Sequence, residues 1–360
     1  MTSNEPSASL PFADIPEAPD TLVTDGRFNF GRFSTPFRVV NPLDAHFGGT
    51  RFYKNFRLKE WQHFALVCNT HYLSLALFNA KSLALAQVCI QNVASKTIYF
   101  YERLLPPWAL SVPSDLTNTQ WGISRPGFHI QFENYLPRGL HRIHFDLAAQ
   151  KGLLAAAGEF TLEDNFHRFR PMEVCLPLPN GGALYSHKNI CPLNGSMKLG
   201  GQNIEFPAAQ SYALSDIHKG YYPYRMTWHW ATAGQVNADG QLNGFNLTNN
   251  QVSDQNKYNE NCLWLNGSLY SLPPVKFHFD KNNIMQPWHI TDAAEHAAPC
   301  VDLIFTPEVL RRVDIQALVI ANRYRGPYGT FSGTIRPQNT DLCIQLNQFR
   351  GMCEDFYLRC

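Results

Sequence analysis

Short runs of apolar residues, separated by polar turns, make up most of the chain from about residue 28 onward. Each run has the length of a strand, and several alternate apolar and polar residues with a period of two. This pattern predicts antiparallel strands, because successive side chains of a strand point to opposite faces. The runs are 61–68, 72–78, 97–101, 127–132, 141–147, 275–280, 317–321, 329–335 and 342–346.

Two segments have a less clear pattern. The run 83–90 fits either a helix or a buried strand, and its strand-like neighbours favour a strand. The segment 304–313 predicts a short helix, with Thr306 as its N-cap and Pro307 at the first helical position.

Pairs of turn-forming residues separate the runs of the second half. Asn194-Gly195, Asp239-Gly240 and Asn266-Gly267 are typical of two-residue hairpin turns, which need positive φ angles. We therefore expect an all-β protein whose antiparallel sheets close on themselves, since closure removes exposed edges.

Local composition divides the chain into three parts. Pro, Ser, Asp and Glu are frequent in residues 1–25, which predicts a disordered N-terminal arm. A Pro- and Gly-rich stretch near 173–182 predicts a boundary between an N-terminal lobe, 26–178, and a C-terminal lobe, 179–360.

The charge balance disfavours two classes of partner. The net charge is +1, because 30 Lys and Arg residues stand against 29 Asp and Glu residues. Nucleic acid is therefore a poor candidate, and so is an anionic membrane surface. Aromatic residues make up 13% of the chain and charged residues only 16%, which favours strands and leaves apolar surface for a ligand.

The chain has nine scattered cysteines and no Cys-x-x-Cys pair. An odd number in this arrangement is typical of reduced thiols in a cytosolic protein. The sequence shows neither a secretory signal nor a run of roughly 20 apolar residues. We expect a cytoplasmic protein, and the sequence leaves its oligomeric state open.

Residues 215–233 hold the highest density of ionisable and aromatic side chains in the chain. We expect 216–220 to form a turn and the following residues to form a strand. One face of that strand carries Tyr222, Tyr224, Met226, Trp228 and Trp230, and the other carries Arg225, Thr227 and His229. The mixture predicts a ligand pocket, although the pattern leaves open which face lines it.

Asp216 is the first candidate for chemistry. Burial among aromatic residues raises the pKa of a carboxyl group, which suits a general acid that protonates an alkene. The alternative is an Asp that caps a turn. His218 and His229 either relay that proton or are structural. Glu260 is either a second carboxylate of an acid–base pair or part of a polar strand end.

Arg225 has two interpretations. It either binds an anionic head group or pairs with Glu260 or Asp302 to join strands. The four aromatic residues of the opposite face offer flat apolar surface to a ligand, or else they belong to the core.

His141 and His144 have the spacing of a metal motif, but an offset of three residues places them on opposite faces of a strand. We expect no metal there, and the predicted acid catalysis needs no cofactor.

Four segments carry a resemblance to a known family. In sequence, 181–188, 194–201, 216–231 and 258–267 resemble the bacterial family known as domain of unknown function 2804. The later segments 287–290, 301–307 and 328–333 resemble the C-terminal part of that family. The likeness covers most of the chain from about residue 28, and the family carries no established activity to transfer.

More distantly, a Gly turn, an Asp-x-His segment and a Trp-x-Trp strand resemble the lipocalin-like group of carotenoid hydratases, tocopherol cyclases and fungal decalin-forming cyclases. The resemblance implies two lipocalin-like β-barrel lobes, with a lipophilic substrate at a barrel mouth or between the lobes. The chain departs from this group where Lys219, Gly220 and Tyr221 follow His218, since the hydratases carry an acidic residue and an aromatic there.

These observations favour a protein that binds an isoprenoid, polyene or acyl chain and hydrates, isomerises or cyclises it by acid catalysis. The alternative is a non-enzymatic carrier or sensor of lipids or fatty acids; an interaction module is disfavoured by the many ionisable groups. The candidate catalytic residues are Asp216, His218 and Glu260. The candidate ligand-binding residues are Tyr222, Tyr224, Arg225, Trp228, His229, Trp230 and Trp288.

Overall fold

The computed structural model describes residues 15–294, 298–316, 321–338 and 340–359. Strands build two large antiparallel sheets, and helices are few and short. A small hairpin joins β1 (Val23–Thr24) to β2 (Arg27–Phe28), and helix α1 covers Arg51–Arg57. The 3-10 turns are Pro42–Asp44, Pro107–Ala109, Leu136–Arg138 and Pro179–Gly181.

In the described part of the chain, the first sheet contains thirteen strands. They are β3 (Gly31–Phe33), β4 (Lys59–Val67), β5 (His71–Asn79), β6 (Ala84–Asn92), β7 (Ile98–Leu105), β8 (Thr119–Arg125), β9 (Phe128–Tyr135), β10 (Leu140–Leu147), β11 (Ala156–Leu162), β12 (Met172–Leu178), β13 (Gly182–Leu199), β14 (Gln202–Phe206) and β15 (Tyr212–Gly220). Their order is β7-β6-β5-β4-β15-β13-β11-β10-β9-β8, with β12 and β14 also paired to β13, and β3 to β12.

The second sheet contains nine strands. They are β16 (Arg225–Val236), β17 (Leu242–Asn249), β18 (Cys262–Leu265), β19 (Ser268–Ser271), β20 (Val275–His278), β21 (Trp288–Asp292), β22 (Val301–Gln316), β23 (Ala321–Ile335) and β24 (Ile344–Arg359). Their order is β19-β18-β17-β16-β24-β23-β22-β21-β20. Both sheets are curled and pack against each other, which confirms the predicted all-β fold class.

Apolar side chains form a core inside each curled sheet and a third core between the sheets. Phe64 and Phe132 lie in the first, and Phe245 and Phe331 in the second. The core between the sheets takes residues from both of them. Strand β16 separates two of these cores, because its side chains alternate between them.

Of the three predicted two-residue hairpin turns, Asn266-Gly267 is confirmed, whereas Asp239-Gly240 lies in a five-residue hairpin loop, 237–241. Gly240 and Gly267 have positive φ angles at the turns that precede β17 and β19. The prediction for Asn194-Gly195 was wrong, because these residues lie inside β13 and pair with β11. The chain turns instead at Gly200 and Gly201, both with positive φ, between β13 and β14.

Strand pairing also decided the segments with a less clear pattern. The run 83–90 lies almost wholly in β6, as predicted. The helix predicted at 304–313 was wrong, because this segment lies within β22 and pairs along its length with β23, and residues 304 and 305 also pair with β21. Pro307 lies at a register shift there, where a missing N–H is tolerated. The turn predicted at 216–220 was also wrong, since β15 pairs with both β4 and β13. The strand predicted at 317–321 falls mostly on 317–320, outside the described residues.

The change of sheet does not coincide with the predicted lobe boundary at 178/179. Residues 179–181 form a 3-10 turn between β12 and β13 of the same sheet, and the sheets change between Gly220 and Arg225. The division into two domains stays a prediction. Of the predicted arm, 1–14 lie outside the described residues, whereas Leu22 is fully buried and hydrogen-bonded to Val39.

Candidate functional site

A cavity of about 300 Å³ lies between the two sheets. Strands β4, β5, β6, β13 and β15 supply one side of its wall, and β16, β22, β23 and β24 supply the other. The ionisable side chains of the wall include His63, Lys188, Asp216, His218, Glu260 and Glu354. The aromatic side chains include Trp61, Phe78, Tyr222, Trp228, Trp230 and Phe356.

Asp216 lies at the centre of the polar part of the wall. In the antiparallel register of β13 and β15, Lys188 is the direct partner of Asp216. The Lys188 ammonium donates to Oδ1 of Asp216, and so does Nε2 of His218 at 2.7 Å. Trp61 donates from Nε1 to Oδ2 at 3.3 Å. The carboxylate therefore accepts from three donors.

These donors set the charge of Asp216. Burial by itself would raise the pKa of this carboxyl, but the charge of Lys188 and the hydrogen bond from His218 outweigh it. The resulting pKa lies well below the usual range. Asp216 is thus an ionised carboxylate at neutral pH, which argues against the predicted general acid.

His218 lies two residues along β15 and faces the same side as Asp216. Its ring stacks on Trp61, with 4.5 Å between centroids and 15° between planes. With the proton on Nε2, the ring donates to Asp216, and its Nδ1 accepts from the Tyr222 hydroxyl at 3.4 Å. Ser186 Oγ is 3.2 Å from Nε2.

Glu260 approaches the same histidine. Its Oε1 is 3.8 Å from Nε2 of His218 and is buried without a hydrogen-bond partner. Its Oε2 accepts from Asn250 at 3.1 Å. The predicted proximity of two carboxylates in space is therefore present, with His218 between Asp216 and Glu260.

Glu354 is a further acidic group of the cavity wall, and the sequence did not predict it. It accepts from Trp228 Nε1 at 3.2 Å and from the Tyr324 hydroxyl at 2.9 Å. Burial raises the pKa of Glu354, and the negative charge of Asp216 adds to the rise. A sequence signal exists, because Glu354 lies on the β24 face that also carries Met352, Phe356 and Leu358.

Aromatic rings form a continuous stack along the wall. Trp228 lies between Trp61, at 6.0 Å between centroids, and Phe356, at 4.0 Å. The Lys188 ammonium lies 4.8 Å from the ring centre of Trp230. Burial lowers the pKa of neighbouring His63 to about 4, so this ring is neutral at physiological pH.

The cavity brings together six of the ten predicted site residues: Asp216, His218, Tyr222, Trp228, Trp230 and Glu260. The other four do not line it. Five further residues that were not predicted also line the cavity: Lys188, Trp61, His63, Glu354 and Arg311. They lie on other strands, which sequence proximity cannot reveal.

Tyr224, Arg225, His229 and Trp288 lie away from the cavity. Arg225 is exposed at the start of β16, and among the described residues no ion pair joins it to Glu260 or Asp302. Tyr224 is 48% exposed. His229 points to the opposite face of β16 and lies 3.4 Å from an oxygen of Asp355. Trp288 is fully buried in the core of the second sheet.

A second polar cluster lies on the other face of β13. Nε2 of His141 and Nε2 of His187 are 3.0 and 3.3 Å from Oδ2 of Asp164. Burial would lower the pKa of His187, but Asp164 and Glu173 raise it to about 10. His141, Asp164 and His187 each offer one ligand atom, and these three atoms lie close enough together to hold a metal ion. The same atoms already make hydrogen bonds within the cluster. His144, on the opposite face of β10, is not part of the cluster.

A family model described as "Domain of unknown function (DUF2804)" matches residues 14–359. Two solved structures of CghA share the fold. One has a TM-score of 0.54 and 9% identity over 83% of this chain and 87% of that chain. The other, CghA with Sch210972, has a TM-score of 0.50 and 8% identity over 84% and 88%.

Kievitone hydratase from Nectria haematococca aligns with a TM-score of 0.46 and 10% identity, over 84% of this chain and 88% of that chain. A search of curated proteins found no significant match. At such low identity, the structural likeness establishes the fold. In the described part of the chain, every helix is too short or too polar to cross a membrane.

Proposed function

This chain belongs to the DUF2804 family, and on that premise we propose that it binds a lipophilic small molecule in the cavity between its sheets and hydrates, isomerises or cyclises it. Its own side chains act as acid and base. CghA shares the fold, and one of its structures is described with Sch210972, which supports a small-molecule ligand here too.

The main support for the proposal comes from two carboxyl groups in the cavity wall. Asp216 and Glu354 line the same cavity, and their surroundings shift the pKa values of the two carboxyl groups in opposite directions. Such a split assigns one group as proton donor and the other as a fixed negative charge. We therefore replace the predicted general acid, Asp216, with Glu354.

Glu354 donates the first proton. Trp228 and Tyr324 donate to its two oxygens, and burial raises its pKa, which favours the protonated form over that of an exposed carboxyl group. In a hydration, the π bond of the substrate breaks and one carbon takes this proton. The other carbon becomes electron-deficient and lies against the indole rings of the wall, whose faces stabilise positive charge.

His218 receives the second proton. When water adds to the electron-deficient carbon, its released proton passes through the Tyr222 hydroxyl to Nδ1 of His218. The ionised Asp216 stabilises the imidazolium that results and fixes the ring. An isomerisation or cyclisation uses the same two groups, with the proton leaving from carbon instead of from water.

The test uses protein purified from its own host, native mass spectrometry and lipid extraction. We compare the wild type with Glu354→Gln and Asp216→Asn. The control is Glu308→Gln, a carboxylate paired with Arg350 outside the cavity wall. We expect Glu354→Gln to accumulate a species that differs from the wild-type ligand by one water or by an isomer shift.

The carrier alternative has one observation in its favour, since Asp216 is held by three donors as a structural ion pair would be. A carrier predicts one chemically identical lipophile in the wild type and in all variants. That result would refute the proton-transfer roles. The absence of any lipophile would refute ligand binding in this cavity.

A further inference from the structure

Arg311 places a guanidinium group in the cavity wall, on β22. Its guanidinium carbon lies 4.2 Å from the ring centre of Phe100 and 5.0 Å from that of Tyr324. Phe100 belongs to the first sheet and Tyr324 to the second. The two rings therefore fix the cation at the junction of the sheets.

In the described part of the chain, acidic side chains approach this charge only through neutral side chains: Gln87 bridges Arg311 to Glu102, and Tyr324 lies between Arg311 and Glu354. Among the described residues, no carboxylate oxygen lies within 4.0 Å of the Arg311 nitrogens, and Nη2 donates to the neutral Oε1 of Gln87. Nε is shielded from solvent and has no hydrogen-bond partner. A partly buried cation without a directly paired carboxylate costs free energy, so a ligand whose acid group pairs with it gains affinity.

We infer that Arg311 binds the carboxylate of an elongated apolar ligand, an inference that rests on the proposed ligand site. A planar guanidinium matches a carboxylate with two parallel hydrogen bonds. In the second sheet, β22 lies three strands from β16, which is about 14 Å at the usual strand spacing. The acid group of the ligand therefore lies on the β22 side of the cavity, three strands from the aromatic residues of β16.

The apolar part of the cavity wall fits a hydrocarbon chain. Leu83, Leu85 and Phe78 line the cavity from the first sheet, and Val313 and Ile315 line it from the second. The ligand class is thus a medium- or long-chain carboxylic acid. Arg311 takes the role that the sequence suggested for Arg225.

Tryptophan fluorescence provides the readout, because Trp61, Trp228 and Trp230 line the cavity. The probes are dodecanoate and dodecanol, which share one chain and differ in the head group. The variants are Arg311→Met and Arg311→Lys, each checked for its fold by circular dichroism. The control is Arg312→Met, whose side chain is exposed and pairs with Asp314.

We expect the wild type to bind dodecanoate more tightly than dodecanol. Arg311→Met should weaken dodecanoate binding about 10- to 100-fold, as expected for a lost charged hydrogen bond, and leave dodecanol binding within about twofold. The affinity of Arg311→Lys for dodecanoate should lie between those of the wild type and Arg311→Met, because lysine keeps the charge and loses the planar guanidinium. Arg312→Met should match the wild type.

Equal affinity of the wild type for both probes would overturn the role of Arg311 and leave the proposed function standing. A loss of both probes to the same extent in Arg311→Met would also overturn it, because the residue would then only shape the cavity. If the wild type binds neither probe, the proposed apolar ligand class fails, and this inference fails with it.

Discussion

Lys188 and Asp216 are direct partners on neighbouring antiparallel strands, and the Lys188 ammonium donates to Oδ1 of Asp216 inside the protein. Both side chains are almost fully buried. The charge of Asp216 raises the pKa of Lys188 against the opposing effect of burial, while Lys188 lowers the pKa of Asp216. Each group thus keeps the other ionised in the wall of the cavity.

Replacing Lys188 by Met should destabilise the protein by about 3–5 kcal/mol at pH 7, because it leaves a buried carboxylate without its ammonium partner. Urea unfolding measures the loss. The control is Lys198→Met, an exposed lysine on the same strand. Adding Asp216→Asn should restore part of the stability. Equal midpoints for the two lysine variants would contradict the expected role of the pair.

The neutral His63 predicts a specific dependence of stability on pH. Its pKa is about 4 in the folded protein and about 6.5 in the unfolded chain, so between these values the unfolded chain binds more protons. The free energy of unfolding therefore falls as the pH drops from 6.5 to 4, by roughly 3 kcal/mol from this group. His63→Gln should remove that part of the slope.

Unfolding at a series of pH values tests this prediction. His278→Gln, which changes an exposed histidine, should keep the wild-type slope. If His63→Gln keeps it as well, His63 is not held neutral by its burial.

Removing the charge of Asp164 should lower the free energy of unfolding by a large amount and leave the cavity unchanged. Asp164 is fully buried and accepts from His141, His187 and Asn189. Asp164→Asn should cost about 3–5 kcal/mol, since it removes the negative charge that faces a buried imidazolium. Asp302→Asn, at an exposed pair with His289, should cost less than about 1 kcal/mol.

Chemical denaturation compares these two aspartate variants. Binding of dodecanoate should be unchanged in any Asp164→Asn protein that folds, because the cluster lies on the opposite face of β13 from the cavity. A similar midpoint for both variants would contradict the structural role.

Close contact between the sheets depends on small residues of the second sheet. A Cβ atom at Gly234 would meet Cδ1 of Ile190, on the first sheet, and the ring of Tyr212. Gly234→Ala should therefore cost about 1–3 kcal/mol. Ile190→Val removes Cδ1, so the double variant should lose less than the sum of the two single losses.

A double-mutant cycle in urea measures that coupling. Gly48→Ala is the matched control, because nothing lies within 4 Å of a Cβ atom there. Strict additivity of Gly234→Ala and Ile190→Val would show that the two positions do not touch.

The sequence by itself determined the fold class and part of the site. Alternation with a period of two holds in a strand whatever its partners are, so Met226, Trp228 and Trp230 share one face of β16, as the pattern predicted. Sequence similarity identified the family, which the matched family model supports over residues 14–359. These properties depend on residues that are close in the chain.

Which side chains meet in the cavity wall, and which of them are charged, depends on the tertiary structure. Lys188, Glu354 and Arg311 reach the cavity from strands far apart in sequence, and only strand order and register bring them together. The charge of Asp216 depends on Lys188, so its surroundings in sequence suggested a protonated acid where the structure has a carboxylate. The helix predicted at 304–313 failed for the same reason, because pairing with β23, a strand that follows later in the sequence, outweighs a local helix signal.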